Sequence, residues 1–203
     1  VKSGDIVSES DGWKTISRET HFQNDHLTVV TEEIQSPARS KPRKWTVVRR
    51  KRAVVIAPMT AEGKIILIRQ ERIPIRAAIW EMPAGQIDET GDLDLSAIEA
   101  VALRELREET GFELVKGGEL ISLGDYFTSP GFTDERGYFF LARAVQPSAE
   151  GQTNDESESI LDCRAFSADE LGRMIDTNEI RDANTLGLFA RLTARGLLSL
   201  GCA

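Results

Sequence analysis

The sequence predicts an α/β protein with a small β appendage at its N-terminus. Two apolar runs, "AVVIAPMT" and "KIILIRQER", flank "AEG" and read as a hairpin of largely buried strands. A strongly signalled amphipathic helix follows, and further strands and helices complete the chain. With 203 residues, 40% of them hydrophobic, the chain is long enough for one sizeable core and an added small unit.

Residues 13 to 35 hold two stretches of strand character, "WKTISRETHF" and "HLTVVTEEI". The Pro-, Ser- and Lys-bearing "QSPARSKPRK" then links them to a third, "WTVVRR". The expected division places the appendage at residues 1–50 and the main domain at 51–203. The hairpin opens that domain, and "IWEMPAG" leads into the polar loop "QIDETGDLDL". Ser96 and Glu99 have the spacing of a capping box, while Ile98, Ala102 and Leu106 recur every four residues. The helix should end at Gly111, a residue suited to a left-handed C-terminal position.

Strands are expected at "ELISLGDYF" and "GYFFLARAV", on either side of "TSPGFTDER", whose Pro130 and Gly131 suggest a fixed turn. The acidic "EGQTNDESES" reads as a mobile loop. A strand at "ILDCRAF", a helix opened by the box Ser167 to Glu170, and a helix from about Ala183 to Ala194 follow.

The formal charge of −8 argues against a broad footprint for nucleic acid. One basic stretch, residues 38 to 52, is either a solvated edge or a phosphate-facing wall. Cys163 and Cys202 are too few for a disulfide scaffold or a cysteine zinc site. The N-terminus lacks the pattern of a signal peptide, and no apolar run approaches the roughly 18 residues of a membrane span. The expectation is a cytoplasmic protein that binds neither membrane nor nucleic acid.

In "RELREETGF", residues 104–112, the offsets of three and four place Glu105, Glu108 and Glu109 on one helical face. Each like-charged pair there is unfavourable by roughly 0.2–0.5 kcal/mol. Glutamate-rich faces are often merely solvated, but such a row becomes favourable when hard divalent cations lie on it.

The stretch from Gly85 to Phe112 resembles the Nudix box: Gly, five residues, Glu, seven residues, then Arg-Glu-aliphatic-x-Glu-Glu-x-Gly-aliphatic. Arg104, Glu105, Leu106, Glu108, Glu109 and Gly111 match its second half at every defined position except the last, where Phe112 stands for an aliphatic residue. The first half departs from it, because Ser96 stands where the family has glutamate and ten residues instead of five separate it from Gly85. Over residues 13 to 190 the chain is similar to the ADP-ribose pyrophosphatase branch. "RQERIP", "WEMPAG", "SPGFTDE" and "EIRDANTLGLF" carry that likeness in order.

The resemblance implies a Nudix α/β/α sandwich with a mixed sheet, and magnesium, or manganese, as the cofactor. Glu105, Glu108, Glu109 and the carbonyl of Ala84 would hold the ions, with Arg104 buttressing the carboxylates. The base that activates water would be Glu156, with Glu158 its rival. Trp13 and Trp45 would stack on adenine, Arg50 and Arg72 would contact phosphate or ribose, and Glu81 and Glu135 would lie near the ions or the terminal ribose. Each of these has a plainer structural role as its alternative.

The implied reaction hydrolyses the pyrophosphate bond of ADP-ribose to AMP and ribose 5-phosphate, in a homodimer with exchanged N-terminal segments. Another nucleoside diphosphate sugar such as GDP-mannose, or a nucleotide-sugar sensor without turnover, are the alternatives.

Overall fold

A computed structural model describes residues 12–88, 93–153 and 159–200. The chain divides into two compact units: residues up to Lys51 with Ser129–Glu135, and Arg52–Thr128 with Arg136 onward.

The first unit is an antiparallel sheet of β1 (Lys14–Gln23), β2 (Leu27–Gln35) and β3 (Arg43–Arg50), in that order. Apolar alternation alone does not hold it, since β1 is exposed throughout and only Val30 and Glu32 of β2 are buried. The Glu32 carboxylate accepts from Arg18 Nε at 2.6 Å and from Arg49 Nη2 at 2.7 Å, which ties all three strands together. Residues 129–135 join this sheet through β3. The Val48 N–H donates to the Phe132 carbonyl at 2.8 Å, Trp45 Nε1 to the Gly131 carbonyl at 2.9 Å, and Arg49 Nη1 to Asp134 at 2.8 Å.

The second unit is built on β4 (Ala53–Thr60) and β5 (Ile65–Arg72), the expected hairpin, whose residues are buried almost without a break. Such continuous runs mark strands covered on both faces. The strand order is β10 (Ile160–Phe166), β5, β4, β9 (Arg136–Pro147), β8 (Phe112–Phe127), with β6 (Ala77–Glu81) beside β5 and β7 (Ala84–Gln86) beside β4. Among the described strands of this sheet only β4 and β9 run parallel, so the sheet is mixed.

One face of this sheet, with Val54, Ile56, Ile66 and Phe140, packs on Ile98, Ala102 and Leu106 of α1 (Leu95–Thr110). The other, with Val55, Leu67 and Leu141, packs on α2 (Ala168–Asp176) and α3 (Ala183–Ala194) through Leu171, Leu188 and Phe189. This is the expected α/β/α sandwich.

Two local readings change, and one segment gains elements. The N-cap of α1 is Asp94, which accepts from the Ala97 N–H and from Ser96 Oγ, both at 2.8 Å; Ser96 therefore lies in the first turn. A carboxylate two residues upstream outcompetes the hydroxyl for the free N–H groups of the helix start. Strand β8 begins at Phe112, directly after the helix, and bulges before Glu119. The lead-in "IWEMPAG", to which the sequence assigned no element, spans the end of the short strand β6 and the start of β7. The Ser167 to Glu170 capping box and the span of α3 are as expected.

Candidate active site

The inner face of α1 carries the carboxylates. Glu105 and Glu109, one turn apart, are 6% and 1% exposed, because the stripe that buries Leu106 also turns them toward the sheet. Glu108 points further outward and remains partly exposed. Arg104 braces two of them, donating from Nη2 to Glu105 at 2.8 Å and from Nη1 to Glu108 at 3.3 Å.

Strand β7 is the opposing wall. The Ala84 N–H donates to Glu109 Oε2 at 2.7 Å. A Cβ on Gly85 would lie 1.9 Å from Cδ of Glu105, so only glycine permits that carboxylate to lie against the strand. The helix ends where Gly111, at φ 71°, turns left-handed and its N–H returns to the Arg107 carbonyl. Segment 152–153 is tied to this end, as Gln152 Nε2 donates to the Glu109 carbonyl and the Thr153 N–H to that of Glu108 at 3.1 Å.

Arg72, whose register partner on β6 is Ala77, reaches along the β5–β6 pair to Glu81 in a bidentate contact, Nε to Oε1 at 2.9 Å and Nη2 to Oε2 at 3.0 Å. Burial pushes the Glu81 carboxyl up to about 6, against the pull of Arg72, and the Asp182 charge adds to the rise. Asp182 caps α3 and accepts from Thr185 Oγ1, and that hydroxyl in turn accepts the Met82 N–H at 2.9 Å. Thr185 and Asp182 thus fix the turn between β6 and β7. The "EIRDANTLGLF" likeness pointed to this helix entry without disclosing that bond.

The structure brings Arg104, Glu105, Glu108, Glu109, Ala84, Arg72 and Glu81 into the second unit. In the first, Trp13 and Trp45 are exposed, and Arg50 Nε pairs with Glu135 Oε1 at 3.2 Å. Glu156 and Glu158 lie outside the described residues. Burial raises the Cys163 thiol to about 11, which fits an inert side chain.

Among the described residues, no three His, Cys, Asp or Glu side chains are grouped to hold a metal. The donor chemistry nonetheless suits a hard divalent cation: Glu105, Glu108 and Glu109 carry three negative charges against the one positive charge of Arg104. Two of these carboxylates have been withdrawn from water.

A NUDIX domain model matches residues 49–189. The chain belongs to the Nudix family. It is 34% identical to the ADP-ribose pyrophosphatase of Bacillus subtilis (strain 168) over 172 residues, which span 85% of this chain and 88% of that protein. It is also 34% identical to the GDP-mannose pyrophosphatase of Enterobacter sp. (strain 638), over 72% of this chain and 75% of that one. The crystal structure of an ADP compounds hydrolase superposes with a TM-score of 0.70 at 20% identity, covering 92% of this chain and 97% of that one.

The protein is therefore a Nudix pyrophosphohydrolase of the ADP-ribose pyrophosphatase type, and the sensor alternative gives way to an enzyme. Nudix hydrolases generally use a divalent metal, usually Mg2+. No helix among the described residues is long and apolar enough to cross a membrane.

Proposed function

We propose that this Nudix hydrolase splits ADP-ribose into AMP and ribose 5-phosphate with Mg2+. The observation that carries the reading is the buried pair Glu105 and Glu109 against Ala84 and Gly85. Glu105, Glu109, Glu108 and the Ala84 carbonyl would hold the cation. When bound, it would neutralise charge on the diphosphate and polarise the P–O bond that breaks.

The chain's own residues do the remainder. Arg104 holds Glu105 and Glu108 in place. Glu81 fixes one edge of the Arg72 guanidinium, leaving Nη1 to meet a phosphate oxygen. Glu156, or Glu158, accepts the proton of the attacking water, whose oxygen forms the new bond to phosphorus as the bridging P–O bond breaks. Trp13 and Trp45 take the adenine, while Arg50 and Glu135 complete the ribose side. Residues 1–50 act as a dimerisation and substrate-contacting appendage of the 51–203 domain, in a cytoplasmic homodimer with exchanged N-terminal segments.

Similarity to a GDP-mannose pyrophosphatase favours one second reading, in which the sugar nucleotide carries guanine and mannose. Incubation with Mg2+ and a panel of ADP-ribose, ADP-mannose, GDP-mannose, diadenosine polyphosphates and NADH decides between them by the mononucleotide released. AMP from ADP-ribose supports the first reading, and preferential GMP release overturns it. Glu105→Gln should lower turnover roughly 100-fold or more with the fold intact; undiminished turnover would remove the carboxylate face from the mechanism.

A further inference from the structure

The connection between β5 and β6 is a 3-10 turn, Ile73–Ile75, closed by Arg76 at φ 50° and ψ 43°. Its N–H returns to the Ile73 carbonyl at 3.1 Å. Left-handed backbone suits glycine or asparagine, whereas a long side chain there is crowded by its own carbonyl. Glycine or asparagine would make the turn at less cost. This chain has arginine there.

Arg76 and Arg72 both line a cavity of ≈ 150 Å³, with Glu71, Ile73, Ala77 and Ala78. That space far exceeds the ~10–15 Å³ that one ordered water requires. Arg72 spends Nε and Nη2 on Glu81, which leaves Nη1 open. Among the described residues the exposed Arg76 guanidinium makes no ion pair or side-chain hydrogen bond, so its five donors remain available. Glu71 is the opposing charge in the lining, and its Oε2 is taken by Ser159 Oγ at 2.6 Å. Its other oxygen can accept from a sugar hydroxyl. Two guanidinium groups and one carboxylate acceptor match a phosphoryl group joined to a hydroxylated ring better than a neutral ligand.

We infer that Arg76 is a second phosphate-binding residue: with Arg72 it seats a phosphoryl group of the nucleoside diphosphate sugar and sets the affinity for that substrate. This inference rests on the proposed function. A guanidinium that grips a phosphoryl group equally in the bound substrate and in the transition state acts on KM and leaves kcat nearly untouched.

The experiment compares the parent enzyme with Arg76→Gly and Arg76→Lys. Glycine relieves the left-handed backbone, so Arg76→Gly should melt no lower than the parent. Its KM for ADP-ribose with Mg2+ should nevertheless rise about tenfold, with kcat within about twofold. Arg76→Lys should keep part of the affinity because it keeps the charge. In parallel, calorimetric titration of the three proteins with inorganic pyrophosphate, without metal, should show binding weakened most in Arg76→Gly. Unchanged KM and unchanged pyrophosphate affinity in Arg76→Gly would overturn the inference while leaving the hydrolase reading intact. If the parent hydrolyses no nucleoside diphosphate sugar, the proposed function fails, and the pyrophosphate titration alone decides the role of Arg76.

Discussion

Glu32 of the N-terminal sheet and Glu81 of the central sheet are both buried carboxylates held by arginine, and their surroundings shift their acidity in opposite directions. Burial raises both. At Glu32 that rise is outweighed by hydrogen bonds and charge from Arg49 and Arg18, so its carboxyl lies below its usual value. Glu81 has Arg72 alone, and the nearby Asp182 charge opposes ionisation further. The first sheet is thus held together by a charge that wants to exist. The second is held by apolar burial and carries its charge at a cost, as functional sites often do.

Four changes probe that contrast, the largest first. Leu106→Ala removes a fully buried side chain from the layer between α1 and the sheet. It should destabilise the second unit by about 2–5 kcal/mol, measured by denaturant unfolding. Gly85→Ala drives a methyl into the Glu105 carboxylate. An overpacking loss of about 1–3 kcal/mol is expected, together with a fall in turnover larger than the stability change explains; wild-type turnover would mean that Glu105 can move without consequence.

Glu81→Gln tests the strained charge. Glu81 binds its proton more tightly in the folded chain, so its contribution is fully present below pH 4.5 and is lost as pH rises through about 6. The difference in stability between parent and Glu81→Gln should therefore shift by about 2 kcal/mol across that window, in favour of glutamine at the higher pH. A pH-independent difference would contradict the raised value.

The smallest effect is expected at Glu32→Gln. Because the Glu32 carboxyl is held low, its contribution is present above pH 4.5 and disappears as pH falls through the folded value. Arg18 and Arg49 are 55% and 38% exposed, so water screens the loss to about 1 kcal/mol at neutral pH. Faster amide exchange confined to β1–β3 would report it, and exchange that spread into β4 and β5 would tie the two sheets together.

Much of this was legible along the chain. The β4–β5 hairpin declared itself through unbroken apolar runs, α1 through its four-residue stripe, and α2 through a capping box whose two bonds both form. The carboxylate face was legible too, since Glu105 and Glu109 share the stripe's side of the helix. The expected Ser96–Glu99 capping box gave way to Asp94, because both residues are good N-caps two positions apart and spacing alone does not rank them. The short strands β6 and β7 carry too few residues to show a period.

What the sequence determined by itself was the family, the layered architecture and the helix that gathers three glutamates, because local periodicity and a spaced motif encode them. Only the tertiary structure decided which charges meet. Arg72 finds Glu81 across a strand pair, Glu105 lies where Gly85 has no side chain, and residues 129–135 join a sheet more than 75 positions upstream through Trp45, Val48 and Arg49. Such pairings depend on the register and burial of distant segments, and burial is also what turned Glu81 from an ordinary carboxylate into one poised near pH 6.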